Sequence, residues 1–191
     1  MGPGSGKISQ ARIAGGDVVV ITGASGGVGT AAIQLCRERG ATIIAMASAS
    51  KSQGLLALGA SHVVDREATN LIQQIRDIAP GGRIDAIADV IGGSIFEALV
   101  PLLRRGGRYA TSGAIAGPIA ELDLRLLIYR DLHFSGATVC PPGTMAKVVA
   151  LINEGRIEPT LSAVYPLSEM AAAQEVFAQK RHTGKFVVEL E

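Results

Sequence analysis

A chain of 191 residues is long enough for one large domain, or for one domain with an appendage, and its formal charge of +1 argues against nucleic acid or a membrane surface as the main partner. Hydrophobic residues make up 48% and charged residues 18%, so a sizeable core can be filled, and 24 glycines suit an α/β chain with many tight turns. The 2 cysteines make neither a disulfide framework nor a zinc cluster, no apolar run reaches membrane-spanning length and no signal peptide is visible, which points to a reduced, cytoplasmic protein without membrane association.

Residues 1–7, opening Met1-Gly2-Pro3-Gly4-Ser5, read as an expression scar and linker and are set aside from fold reasoning. Ile8 to Ala14 reads as a short helical or irregular lead-in that Gly15-Gly16 ends. Four branched aliphatics, Val18 to Ile21, then predict a strand buried on both faces, as in a parallel sheet. The turn Thr22-Gly23-Ala24-Ser25-Gly26-Gly27-Val28-Gly29 delivers the chain into a helix whose Val28, Ala32, Leu35 and Cys36 share one stripe, and Gly40 stops it. A turn bare of side chains lets backbone N–H groups at a helix N-terminus meet a pyrophosphate, where the helix dipole favours negative charge. Strand, glycine turn and amphipathic helix in that order predict a dinucleotide-binding unit; the other reading is a purely structural turn. The spacing departs from G-x-G-x-x-G, because Ala24 stands at the first glycine position with Gly23 one place earlier, so a slightly wider loop is expected.

Ala41 to Ala47 reads as the second buried strand, followed by a helix from Lys51 to Leu58 that Gly59 ends. Strand three is His62 to Asp65, and a helix over Asn70 to Ile78 carries Leu71, Ile72, Ile75 and Ile78 at helical spacing before Pro80-Gly81-Gly82. Strand four (Ala86 to Val90), a helix (Ile95 to Leu103), strand five (Arg108 to Thr111), a helical turn (Leu122 to Ile128) and strand six (His133 to Ala137) follow. Together they predict a Rossmann-type α/β fold, a doubly wound parallel sheet of about six strands with its ligand at the carboxyl ends of the strands near the switch point. Residues 8–145 are assigned to this dinucleotide-binding domain.

The rhythm changes afterwards, and residues 146–191 are assigned to a C-terminal appendage of helices and strands. A helix over Gly143 to Glu154 leads to a strand (Ser162 to Tyr165) and a helix over Ser168 to Lys180 with Ser168 as its expected cap. The last strand, Lys185 to Leu190, has no obvious sequential partner and needs an edge to pair with.

Charge at the end of strand two bears on which nicotinamide cofactor fits. An NAD site normally places a carboxylate there to bond the ribose 2′-hydroxyl, whereas this chain reads Met46-Ala47-Ser48-Ala49-Ser50-Lys51, with no acid before Asp65. Ser48, Ser50 and Lys51 offer the hydroxyls and cation that a 2′-phosphate wants, so NADP(H) is the expected cofactor. The alternative is that Lys51 and Arg66 are solvated loop cations. His62, His133 and His182 have no metal-like spacing and read as surface or packing residues; no metal site and no catalytic acid, base or thiol is marked.

From Asp17 onward the chain resembles the cofactor-binding part of the medium-chain dehydrogenase/reductase superfamily, zinc-type alcohol dehydrogenase-like, and most of all its quinone oxidoreductase branch. The resemblance rests on the glycine turn with Thr30-Ala31-Ala32-Ile33-Gln34-Leu35, on Leu58-Gly59-Ala60-Ser61-His62-Val63-Val64-Asp65, and on Asp89-Val90-Ile91-Gly92-Gly93. It continues through Leu103-Arg104-Arg105-Gly106-Gly107-Arg108, Glu154-Gly155-Arg156-Ile157-Glu158-Pro159, Pro166-Leu167-Ser168-Glu169-Met170 and Thr183-Gly184-Lys185-Phe186-Val187-Val188. It implies a GroES-like catalytic domain ahead of this unit, on which the C-terminal segment would pack, and hydride transfer to a quinone, enone or carbonyl substrate. It also implies a homodimer formed through this domain, and it leaves zinc undecided. Carried over residue by residue, Ser25, Gly26, Gly27 and Val28 would meet the pyrophosphate, and Lys51 matches a phosphate-binding lysine. Arg66 stands where a phosphate-binding tyrosine is common, a departure but a cationic one. Val90, Ser112, Gly113 and Ala114 would line the ribose and nicotinamide, and Thr138 and Val139 would offer backbone to the carboxamide.

The glycine turn also satisfies the short-chain dehydrogenase fingerprint, but that chemistry needs a Tyr-x-x-x-Lys pair. Tyr109, Tyr129 and Tyr165 are followed four places on by Gly113, His133 and Glu169. A non-catalytic module that senses a dinucleotide is the alternative from another functional class.

Overall fold

The computed structural model describes Ile8 and residues 11–190; the segment expected to be an expression scar and linker lies outside the described residues, as does part of the expected lead-in. Six strands form one parallel sheet in the order β3-β2-β1-β4-β5-β6: β1 (Val18–Ile21), β2 (Thr42–Ala47), β3 (His62–Asp65), β4 (Ile84–Asp89), β5 (Leu103–Thr111) and β6 (His133–Gly136). The chain reverses its direction of travel across the sheet between β1 and β4, which is where a doubly wound fold opens its ligand crevice. Six helices belong to this layer: α1 (Gly27–Arg37), α2 (Ser52–Ala57), α3 (Leu71–Ile78), α4 (Ser94–Leu99), α5 (Leu124–Tyr129) and α6 (Thr144–Asn153).

Side chains alternate across a strand, and the register here stacks like with like. Val20 lies opposite Ile44 on one side and Ile87 on the other, while Val19 lies opposite Ile43 and Ala86. One core therefore contains Val19, Ile21, Ile43, Ala45, Ala86, Ala88 and Ala110 under Ala32, Ile33 and Leu35 of α1 and Val148 of α6. The other contains Val18, Val20, Ile44, Met46, Ile87 and Tyr109 with Leu71 and Ile75 of α3 and Leu99 of α4. The first face is rich in alanine and the second in larger side chains, so the two helical layers rest on different surfaces.

Three local expectations need correction. Every residue of α1 from Gly29 to Cys36 is buried, not one stripe, because the segment after α6 covers its outer side. Gln34 survives there by pairing twice with the Glu158 backbone, its amide nitrogen donating to the carbonyl (2.8 Å) and its carbonyl accepting from the N–H (2.7 Å). Helix α4 stops at Leu99, and a 3-10 turn over Val100–Leu102 carries Pro101, whose missing N–H cannot continue an α-helix; β5 then starts earlier than expected, at Leu103.

The third correction concerns the C-terminal unit, β7 (Leu161–Pro166), α7 (Met170–Ala178) and β8 (Lys185–Glu189). The final strand has a partner after all: it pairs in parallel with β7, with Val164 opposite Val187 and Tyr165 opposite Val188. Ser168 does not cap α7, because it lies inside a preceding 3-10 turn (Leu167–Glu169) and leaves Glu169 at the cap position without a side-chain bond.

Ile87 is fully buried in β4 and packs in the larger-residue core. Ile87→Ala is expected to lower unfolding free energy by about 2–5 kcal/mol. Urea denaturation would show this as a lower midpoint with an unchanged slope.

Candidate dinucleotide-binding site

The glycine turn leaves β1 through Thr22 and is fixed by three short backbone bonds: Thr22 N–H to the Ala88 carbonyl (3.1 Å), Ala24 N–H to Met46 (3.2 Å) and Gly26 N–H to Gly23 (3.1 Å). Gly23 has φ +56°, and a Cβ there would stand 2.6 Å from Val90 Cγ2. Gly29 faces the turn from inside α1, where a Cβ would come 2.4 Å from the Gly23 carbonyl oxygen and 2.5 Å from Ala24 Cα. Only glycines at these two positions let the helix start press on the turn. Gly26 is exposed, and Gly27 and Val28 are half-buried, with the Lys185 side chain lying against Gly27. No side chain caps α1 and no acid sits in its first turn, which leaves the positive end of its dipole available to an anion.

Asp89, the last residue of β4, organises the rim beside the turn. Its carboxylate is 1% exposed and accepts from the Thr22 hydroxyl, from Tyr109 Oη (2.5 Å), and from the N–H groups of Ile91 and Gly92 (2.9 Å each). The Thr22 hydroxyl in turn accepts from the Val90 N–H at 3.1 Å. Burial and then the hydrogen bond to Asp89 raise the Tyr109 phenol well above its usual value. Neither Asp89 nor Tyr109 stood among the expected site residues; the available signal was an acid following the apolar run Ala86-Ile87-Ala88.

The expected residues gather into two groups. At the end of β2, Lys51 Nζ donates to Ser25 Oγ (3.3 Å), the Lys180 carbonyl (2.9 Å) and the His182 carbonyl (2.7 Å), and the Ser48 and Ser50 hydroxyls lie 3.4 Å apart. Burial first and then the Arg66 charge push the Lys51 ammonium below its usual value, while Arg66 itself is exposed and paired with Glu67 at 3.1 Å. At the ends of β4, β5 and β6, a cavity of about 760 Å³ is lined by Ser112, Gly113, Ala114 and Thr138, with Phe96 and Tyr109 at its apolar wall. Val90 lies between the glycine turn and the cavity: a Cβ on Gly23 would meet its side chain, one on Gly113 would stand 3.1 Å from its carbonyl oxygen, and that carbonyl accepts the Ile115 N–H at 3.3 Å. Val139 is 78% exposed and is not among the cavity's lining residues. The Ser112 hydroxyl oxygen is buried with no hydrogen-bond partner among the described residues, as expected of a group that awaits a ligand. This orphan, the uncapped helix and the bare glycine mouth all fit a dinucleotide.

Residues 27–154 match the family model described as zinc-binding dehydrogenase. The chain belongs to the medium-chain dehydrogenase/reductase family. It is 30% identical over 198 residues to the human synaptic vesicle membrane protein VAT-1 homolog, covering 91% of this chain and 50% of that protein. Among solved structures, a Sinorhizobium meliloti protein assigned to the alcohol dehydrogenases superposes with a TM-score of 0.92 at 42% identity, covering 97% of this chain and 52% of that one. An NAD-dependent alcohol dehydrogenase gives 0.88 at 28% identity, covering 97% and 54%. A 2-octenoyl-CoA carboxylase reductase in complex with NADP and 2-octenoyl-CoA gives 0.85 at 27% identity, covering 96% and 47%. The chain spans about half the length of the VAT-1 homolog and of these solved chains. Despite the family's description, no group of three or more His, Cys, Asp or Glu that could hold a metal ion occurs among the described residues.

Removing the phenol hydroxyl leaves the buried Asp89 carboxylate one donor short, so Tyr109→Phe is expected to cost about 1–3 kcal/mol at neutral pH. Because folding raises the phenol pKa, that contribution is complete below the unfolded value of about 10 and is lost as pH climbs beyond it. Denaturation of both proteins across alkaline pH should show their stability difference shrinking above about pH 10.

Proposed function

We propose that this chain is the NADP(H)-binding part of a medium-chain oxidoreductase whose whole protein moves hydride between the cofactor and a quinone, enone or other carbonyl acceptor. The observation that carries the cofactor choice is the end of β2, where Ser25, Ser48, Ser50 and Lys51 supply hydroxyls and a cation, and Asp65 lies a strand away on β3. A carboxylate there would favour the 2′-hydroxyl of NAD; a cation with hydroxyls favours the 2′-phosphate of NADP. The NADP in the carboxylase reductase neighbour agrees with this reading, although the NAD-dependent neighbour shares the same fold.

Bound NADP(H) would supply the hydride at nicotinamide C4. The residues of this chain bind and orient. The amides of Gly27 and Val28 receive the pyrophosphate, Lys51 and the serines receive the 2′-phosphate, and Arg66 adds positive charge nearby. Val90, Ser112, Gly113 and Ala114 flank the ribose and nicotinamide, and Thr138 and Val139 offer backbone to the carboxamide. Lys51 already gives its donors to Ser25 and two carbonyls, so a 2′-phosphate would draw at least one of them away.

Two surfaces complete the proposal. Strand β6 is an edge of the sheet and lies close in sequence to exposed Ile128, Tyr129 and Val139, which suits coverage by a second copy in a homodimer. The β7–α7–β8 unit exposes Val164, Leu167, Met170 and Val187, which suits packing on a GroES-like catalytic domain of the whole protein. We place the protein in the cytoplasm on its sparing use of cysteine; among the described residues no helix is long and apolar enough to cross a membrane.

Fluorescence titration of the chain should give tighter binding of NADPH than of NADH, and Lys51→Ala should bring NADPH to about the NADH value, a loss on the order of tenfold. Equal binding of both cofactors, unchanged in the variant, would refute the NADP assignment. Light scattering should give twice the chain mass, and Ile128→Asp should reduce it to that of a single chain.

A further inference from the structure

At the edge of the sheet where the strands begin, opposite the glycine turn, two arginines share one acceptor. Arg83 stands directly before β4, and Arg130 follows α5 at its carboxyl end, shortly before β6. In the sheet order β4-β5-β6 the two positions straddle the start of β5. Arg83 Nη1 donates to the Pro101 carbonyl at 2.5 Å. Arg130 Nη1 donates to that same oxygen at 2.8 Å and to the Leu103 carbonyl at 3.1 Å. Pro101 lies in the 3-10 turn that follows α4, and Leu103 opens β5.

No carboxylate completes the pair. The acids nearest to them in sequence are bonded to other arginines, Asp85 to Arg104 and Asp131 to Arg105 at 2.7 Å. Neither Arg83 nor Arg130 forms an ion pair among the described residues. Burial first and then the charge of Arg83 hold the Arg130 guanidinium below its ordinary value, and no acid opposes that shift. A neutral carbonyl can accept from two donors, but it cancels neither positive charge. Two cations brought to one oxygen repel each other until an anion joins them.

We propose that Arg83 and Arg130 form a binding site for a doubly charged oxyanion of the phosphate class, on the sheet edge opposite the candidate dinucleotide site. Arg83 is exposed and Arg130 half-buried, and both bond the protein through Nη1. The edge formed by Nε and Nη2, which has no acceptor among the described residues, is the fork that grips two oxygens of a phosphate. Two positive charges match a phosphate dianion, whereas a single carboxylate would leave one of them uncompensated. The proposal does not rest on the cofactor reading, because it shares no residue with the glycine turn, the end of β2 or the cavity. The competing physical picture is that both arginines only cap the carbonyl end of α4 and its 3-10 turn, where a helix favours cations. In that picture phosphate leaves both side chains untouched.

The whole chain, with isotope-labelled arginine, would be titrated with sodium phosphate while sodium chloride holds the ionic strength constant. The Nε–H signals of Arg83 and Arg130 report on the pair directly, apart from any phosphate bound at the glycine turn. Both signals should move together and saturate, and sulfate should give the same pattern. This wild-type titration tests the site without any substitution. In Arg83→Gln, phosphate binding read at Arg130 should weaken about tenfold, the worth of one charge-assisted contact. Arg83→Lys keeps the charge without the fork and should lie between the two. Phenyl phosphate distinguishes phosphate carried on an organic group from the free ion, and saturable movement of the same two signals by either supports the site. Signals that do not move, or that respond equally to chloride or acetate, would overturn the proposal. Unchanged phosphate affinity in Arg83→Gln would overturn it as well.

Discussion

The buried carboxylate of Asp89 joins the parts of the sheet on which a ligand must rest. The Thr22 hydroxyl reaches it from the end of β1, the Tyr109 phenol from β5, and the amides of Ile91 and Gly92 from the loop that leads into α4. A carboxylate taken out of water demands such donors, and these donors demand it in return, so the group behaves as one unit. Its consequence is positional. The glycine turn follows Thr22 directly, Val90 follows Asp89, and the Ser112 N–H is bonded to the Asp89 carbonyl at 3.1 Å. The glycine turn and the rim of the cavity at the ends of β4 and β5 are therefore tied to one buried residue.

The local parts of this arrangement were legible in the amino-acid sequence. Four aliphatics followed by a glycine turn and a helix announce themselves within a short window, because side-chain period and backbone freedom are local properties. The serines and lysine after β2 could be singled out for the same reason, because they stand where an acid would otherwise be looked for. What escaped was long-range. The partner of β8 is set by a pairing across the intervening helix, as when Val187 meets Val164. The hub at Asp89 joins residues 67 and 20 positions away, and nothing in the neighbourhood of Tyr109 hints at its acceptor. Gln34 could be placed on α1, but not its double bond to the backbone of Glu158.

Lys51 shows how a residue chosen by type and position can sit in a physical circumstance that the sequence does not display. Its residue type and place fit a 2′-phosphate, yet in the structure its ammonium is held by a hydroxyl and two carbonyls, two of the three partners lying beyond residue 179. Phosphate binding there would be an exchange of acceptors, so the net gain is smaller than a bare lysine would give. The exchange would also reach the segment that carries Lys185 to the glycine turn, since the same carbonyls belong to Lys180 and His182.

The unequal faces of the sheet carry a consequence for how the protein tolerates change. Ala45, Ala86, Ala88 and Ala110 form a low floor on which α1 lies, and the glycine turn is continuous with that helix. Any side chain enlarged on this floor would lift α1, and the start of α1 is the cradle itself. On the opposite face, where Ile44, Met46 and Ile87 meet α3 and α4, similar changes would be absorbed away from the turn. Substitutions of equal thermodynamic cost would thus have unequal effects on ligand affinity, according to which side of one sheet they fall on. The alanine face would be slow to drift in sequence, and the larger-residue face free to repack.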